Sequence, residues 1–118
     1  MMTQPGILGN HAEKLAHKYL INHGLKPITR NYRSRFGEID LIMADADCLV
    51  FVEVRYRRNQ AFGGSLQSID ARKQDKLRRT AQNYLIHHKM NDSACRFDIL
   101  CLDGRLDKPE IEWIKNAF

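Results

Sequence analysis

The chain has 118 residues, 43% of them hydrophobic, which suits one domain (1–118) able to bury its own core. No apolar stretch approaches the length of a membrane span, and the opening Met1-Met2-Thr3-Gln4-Pro5-Gly6 lacks the pattern of a signal peptide, so a cytoplasmic protein without a membrane partner is expected. The formal net charge of +5 favours polyanionic partners, and the three cysteines, Cys48, Cys95 and Cys101, lack metal-ligand spacing and read as reduced, small core residues.

In chain order, Ile7 to His23 carries Leu8, Ala12, Leu15, Ala16, Tyr19 and Leu20 on one stripe, the spacing of an amphipathic helix that Gly24 would cap. Lys26 to Arg33 reads as a strand, placed at a sheet edge because Pro27 cannot donate to a ladder. Gly37 to Ala44 and Cys48 to Tyr56 read as a hairpin around the turn-prone Asp45-Ala46-Asp47. Arg57 to Ser65, with Gly63-Gly64, reads as a loop. A long helix is expected from Leu66 or Gln67 to about Lys89, with Leu77, Ala81, Tyr84 and Leu85 as its apolar stripe. Ser93 to Leu102 alternates Phe97, Ile99 and Cys101 against Asp98, Leu100 and Leu102, and Ile111 to Ile114 is a last short strand after an Asp103-Gly104 turn. The order α-β-β-β-α-β-β makes an α/β fold with a mixed sheet and flanking helices. The long helix should act as a right-handed crossover that leaves the Glu53 and Phe97 strands parallel.

Two strings place carboxylates inside apolar strands: Gly37-Glu38-Ile39-Asp40 and Phe51-Val52-Glu53-Val54-Arg55. A carboxylate in a half-buried sheet is costly unless compensated, and a divalent cation is one compensator. A hairpin centred between Ala46 and Asp47 sets Asp40 opposite Glu53 and Glu38 opposite Arg55, while period-two alternation puts Glu53 and Arg55 on one face and Val50, Val52 and Val54 on the other. An odd-length loop would slip this register and part Asp40 from Glu53. The competing reading of the same residues is an ion-pair network in which Arg55 or Arg30 neutralises the acids. Glu38 is equally readable as the cross-strand partner of Arg55, and Glu13, at the border of the first helix's stripe, as an exposed helix carboxylate.

Charge is unevenly distributed. Residues 1–35 hold six Lys/Arg and one acid, 36–52 hold four acids and no base, and 53–79 hold eight Lys/Arg and three acids. Basic flanks around an acidic centre suit a protein that attracts a polyanion toward a metal, although solvated charged faces give the same composition. Arg55, Arg57 and Arg58, interleaved with Tyr56 and followed by Arg72, Lys73 and Lys76, are the candidate nucleic-acid contacts; they suit backbone and stacking interactions rather than sequence readout. The five histidines, His11, His17, His23, His87 and His88, show no ligand spacing with the cysteines.

Gly9, Ala12, Glu13, Ala16, Tyr19 and Leu20, together with Arg30-Asn31, Gly37-Glu38-Ile39-Asp40-Leu41-Ile42, Phe51-Val52-Glu53-Val54-Arg55, Lys73, Leu77, Arg96-Phe97-Asp98 and Trp113-Ile114 to Asn116-Ala117-Phe118, resemble the YraN family of uncharacterised bacterial proteins over nearly the whole chain. That family is related to archaeal Holliday-junction resolvases and to the wider restriction-endonuclease-like fold. The resemblance implies metal ligation by Asp40 and Glu53, completed by Glu13, with Mg²⁺ or Mn²⁺ as cofactor. It implies an endonuclease acting on DNA, with branched or flapped structures as candidate substrates, and a homodimer, because resolvases cut paired strands. Glu13, Asp40, Glu53 and Arg55 are then the catalytic set. Arg55 stands where the superfamily places a lysine; it stays charged and is a poor general base. A module that keeps the fold and binds nucleic acid without cleaving it is therefore the alternative. Lys73 is a second source of an ammonium, against the plainer expectation of a lysine on a solvated helix face.

Overall fold

The computed structural model describes residues 7–58 and 69–118, with side chains from residue 10 onward. Helix α1 (Ile7–Asn22) is followed by strands β1 (Lys26–Ser34), β2 (Gly37–Asp45) and β3 (Cys48–Arg57), helix α2 (Ala71–His87), and strands β4 (Cys95–Asp103) and β5 (Glu110–Ile114). The expected α/β order is thus present among the described residues. Leu8's side chain, Gly63-Gly64 and the expected helix start at Leu66 or Gln67 lie outside them.

The sheet runs β1-β2-β3-β4-β5. β3 and β4 are parallel and the other neighbours antiparallel, as a helical crossover between β3 and β4 requires. Val50, Val52, Leu41, Met43, Leu100 and Leu102 pack on Ala12, Ala16 and Leu20 of α1. Ile42, Phe51 and Ile39 pack on Leu77, Ala81 and Tyr84 of α2. Both expected helix stripes therefore bury against the sheet, one on each face, and the central strands are apolar on both sides. Thr80 joins the α2 stripe fully buried because its hydroxyl donates to the Lys76 carbonyl (2.8 Å) and so carries no unpaired group inward.

Helix α2 starts later than its composition suggests. Asp70 is extended (φ −87°, ψ 178°) and its carboxylate accepts the Lys73 N–H at 2.8 Å, an N-cap that fixes the first helical residue at Ala71. The helix closes before Lys89, which turns into the left-handed region (φ 55°) while Met90 N–H donates to Leu85 O at 2.8 Å. Each helix also ends in a Tyr–His stack four residues apart, Tyr19–His23 and Tyr84–His88, both with ring centroids 4.0 Å apart.

The hairpin has the expected register, with Leu41 opposite Val52 and Asp45 opposite Cys48. The β2–β3 ladder stops at Leu41, however, so Glu38 is not paired with the Arg55 position; it lies opposite Arg33 on β1, with the two side chains 3.3 Å apart. The alternation of β2 also breaks there. Ile39 and Ile42, three residues apart, both pack toward α2, which period two forbids. Across the sheet, Asn31 of β1 has φ 54°, and it falls between the paired couples Arg30–Leu41 and Tyr32–Ile39. Asn tolerates this left-handed conformation better than most residues. Asn31 and Asp40 therefore face each other at the point where the β2–β3 ladder ends, while the register shift of β1 lies farther along, between Pro27 and Thr29.

Candidate active site

Where the ladder stops, the Asp40 side chain takes its place: Val54 N–H donates to Asp40 Oδ2 at 2.8 Å. This bond holds the carboxylate in the gap between β2 and β3, beside Glu53 on the second strand. Glu53 and Glu13, the latter from the first helix, line the same cleft as Asp40 and act on its carboxyl. Asn31, with its amide nitrogen turned toward the acids, donates to Glu13 Oε1 (2.8 Å) and Glu38 Oε1 (3.0 Å). Asn31 had no distinguishing mark in the sequence beyond its place after Arg30; the geometry that selects it is its positive φ.

Glu53 is almost wholly buried, its side chain 4% exposed. Its Oε2 lies 3.3 Å from Arg55 Nη1 and 3.3 Å from Lys73 Nζ. Lys73, expected more plainly on a solvated face, keeps a side chain 39% exposed and pairs with the buried Glu53. Asp70 starts α2 so that Lys73, in its first turn, is one turn before the buried Leu77 and on the same side. Asp40, Glu53, Glu13, Arg55 and Lys73 line one open cleft of about 360 Å³ with Val54 and Tyr56.

The acids repel one another. Asp40 is pushed up from an ordinary 3.8 to about 9, first by burial, then by the Glu53 charge and by donating a hydrogen bond to it; the Val54 N–H opposes this, and Glu13 adds to it. Glu13 is also raised, by burial and then by Glu38, against the pull of Arg30 and Asn31. Like charges crowded this closely keep a proton in place of a cation.

Among the described residues, no three Asp, Glu, His or Cys side chains stand as a ready-made metal cage. The donor chemistry nevertheless fits a hard cation. The three carboxylates are linked through Asp40, open to a cleft, and hold in Asp40 a proton that a divalent ion would displace. Mg²⁺ commonly takes one or two protein carboxylates directly and meets further acids through the waters of its shell.

The remaining candidates are dispersed. Arg57, Arg58, Arg72 and Lys76 are exposed and do not line the carboxylate cleft. Arg58 lines an adjoining cleft of about 260 Å³ with His11 and Tyr56, and His11 is itself exposed. Asp98, part of the Arg96-Phe97-Asp98 string, lies apart from the site. It is fully buried and accepts from Arg96, from Trp113 Nε1 (2.9 Å) and from Asn116 N–H (2.9 Å), which ties the C-terminal segment to β4.

The family model described as Uncharacterised protein family UPF0102 matches residues 12–102, a stretch that runs from the first helix through β4 and includes every cleft residue. The chain belongs to this family. A UPF0102 protein of Nitrosomonas europaea is 49% identical over 117 residues, covering 99% of this chain and 98% of the relative. One of Methylobacillus flagellatus is 51% identical over 111 residues, covering 94% and 96%. One of Colwellia psychrerythraea is 45% identical over 112 residues, covering 93% and 87%. Among the described residues of this UPF0102 protein, no helix is long and apolar enough to cross a membrane.

Proposed function

We propose that this UPF0102 protein is a metal-dependent endonuclease of the restriction-endonuclease-like kind, acting on DNA. The observation that carries the reading is the convergence of Glu13, Asp40 and Glu53 with the Lys73 ammonium in one open cleft, with Asp40 driven to hold a proton. A mixed sheet whose acidic second and third strands precede the crossover helix agrees with that fold.

Glu13, Asp40 and Glu53 would hold Mg²⁺ or Mn²⁺, which when bound supplies an activated water and shields charge on a reacting phosphodiester. The chain's own groups have separate tasks. Asn31 holds Glu13 in place from the opposite strand. Lys73 replaces the lysine absent at Arg55: its single ammonium on Glu53 can orient a water or neutralise a phosphate oxygen, and unlike a guanidinium it can give up a proton. Arg55, on the same Glu53 oxygen, is placed to meet a phosphate. Arg57, Arg58, Arg72 and Lys76 add exposed positive charge that attracts a polyanion.

One observation favours the non-catalytic nucleic-acid-binding alternative. Glu53 Oε2 is met by two cations, which neutralise it without any metal. The two readings separate on cleavage of labelled linear, single-stranded, flapped and four-way-junction DNA at low salt with Mg²⁺ or Mn²⁺. Wild type is run beside Glu53→Gln and Asp40→Asn. Cleavage abolished by both substitutions is the expected result. Intact salt-dependent binding with no cleavage of any substrate leaves the binding module standing. Light scattering on the junction complex tests the homodimer that paired cuts would require.

A further inference from the structure

A second groove lies between the β1–β2 turn and α2. The β1–β2 turn carries Arg35 and Phe36. The Arg35 guanidinium sits 4.9 Å from the Phe36 ring centroid, and that of Arg79, on α2, 6.0 Å. With Gln82, Asn83 and Ile86 these residues line a cleft of about 450 Å³. Asn83 accepts from Tyr32 OH on β1 and Thr80 meets Ser34, so helix and turn form one wall. Ile86 is 54% exposed, an apolar patch beside two guanidinium groups.

We infer that this groove holds an unpaired nucleotide of a single-stranded DNA tail leaving the carboxylate cleft; the inference rests on the nucleic-acid reading above and extends it to substrate class. Charge is complementary: Arg35 and Arg79 are both exposed, and Arg79 pairs with Asp75 at 3.1 Å, an exposed pair in high dielectric that a phosphate can displace. An aromatic ring flanked by guanidinium groups, with an aliphatic residue beside it, offers a face to an unstacked base, and every base has such a face. A duplex hides its base faces and would meet only the arginines. The volume suits a single small planar ligand. Lys73 and Arg79, on the same helix, line the carboxylate cleft and this groove respectively.

Fluorescence anisotropy in EDTA tests this without any need for cleavage. The probes are a labelled duplex with an oligo-dT tail and a blunt duplex of the same paired length. The proteins are wild type, Arg35→Ala/Arg79→Ala, Phe36→Leu, and Lys14→Ala/Lys18→Ala as an equal-charge control on the exposed side of α1. The double arginine variant should bind the tailed probe roughly tenfold more weakly, with a salt slope shallower by about 1.4, while blunt binding changes by less than about twofold. Phe36→Leu should lower the preference for the tailed probe and leave the salt slope unchanged. The control should keep the preference. If wild type binds DNA and the double variant loses tailed and blunt probes alike, or neither, the groove is not a strand site and the nucleic-acid reading survives alone. If wild type binds neither probe at any salt, both fall.

Discussion

Replacing Asp40 by Asn separates the cost of crowded acids from their use. Asn keeps the shape and the oxygen that accepts the Val54 N–H, and its amide can donate to Glu53 as a protonated Asp40 does. In the folded protein Asp40 holds its proton to about pH 9, against 3.8 for an ordinary aspartate. The folded state therefore binds more protons than the unfolded chain throughout that window. Stability attributable to Asp40 is fully present below the lower value, falls as pH rises, and levels off above the upper one. At pH 7.5 the full linkage is an upper bound of about 5 kcal/mol, and solvent access through the open cleft reduces the observable to about 1–3 kcal/mol. Asn escapes this loss. Metal-free Asp40→Asn should therefore melt above wild type by roughly 4–12 °C at pH 7.5, with the two converging near pH 4. Thermal unfolding in EDTA across pH 4–9 measures it. Saturating Mn²⁺ should then raise wild type and leave the variant unmoved, by more at high pH, where a proton need not be displaced. A variant that melts below wild type by the same margin at every pH would refute the crowding argument. Equal Mn²⁺ shifts in both proteins would refute Asp40 as a ligand.

Further substitutions test other parts. Lys73→Met should lower cleavage by about a hundredfold or more while DNA affinity stays within a few-fold, and Arg55→Lys should retain cleavage; single-turnover assays check both. Loss of cleavage in Arg55→Lys with none in Lys73→Met would reverse the roles assigned to them. Asp98→Ala leaves Arg96, Trp113 Nε1 and Asn116 N–H without their buried acceptor and should cost about 3–5 kcal/mol in urea unfolding, with a red shift of fluorescence from Trp113. Gly37→Ala adds a side chain at φ 154°, a region L-residues rarely adopt, and should cost about 1–2 kcal/mol in the same assay, even though the added carbon would stand no closer than 3.4 Å to Thr80.

Much of the fold was legible because its elements carry clean periodicity. The α1 stripe from Ala12 to Leu20, the valines of β3 and the edge position signalled by Pro27 each rest on local rules that tertiary packing reinforced. The hairpin register followed from an even-length turn centred between Ala46 and Asp47, a condition the sequence leaves open and the structure meets. What could not be read was where the ladder ends. Glu38 was assigned a partner on β3 because alternation was carried past Asp40, and it instead meets Arg33. The expectation carried helix α2 through Ile69 and Asp70, which the structure leaves outside it, because periodicity does not show that Asp70 turns extended to cap Ala71. Lys73, four residues before Leu77, lies on the side of the apolar stripe by periodicity alone; what the sequence does not show is its ion pair with Glu53.

These misses share a physical origin. An uninterrupted β2–β3 ladder would satisfy Val54 N–H from the opposite backbone and leave Asp40 to point out of a closed sheet. The opposed irregularities at Asn31 and Asp40 prevent that, and the vacated backbone donor becomes the anchor of the carboxylate. The same departure brings Asn31 within reach of Glu13, which a regular edge strand would not do. A sheet optimised for pairing has no need to place two acids at the mouth of its central hairpin, and doing so raises one of them far above its ordinary range. Such local conflict with folding rules is the ground on which these residues are proposed as a site. The arrangement gains most when something positively charged and removable occupies the cleft, because Lys73 and Arg55 are tethered to one oxygen of Glu53 while Asp40 still holds its proton.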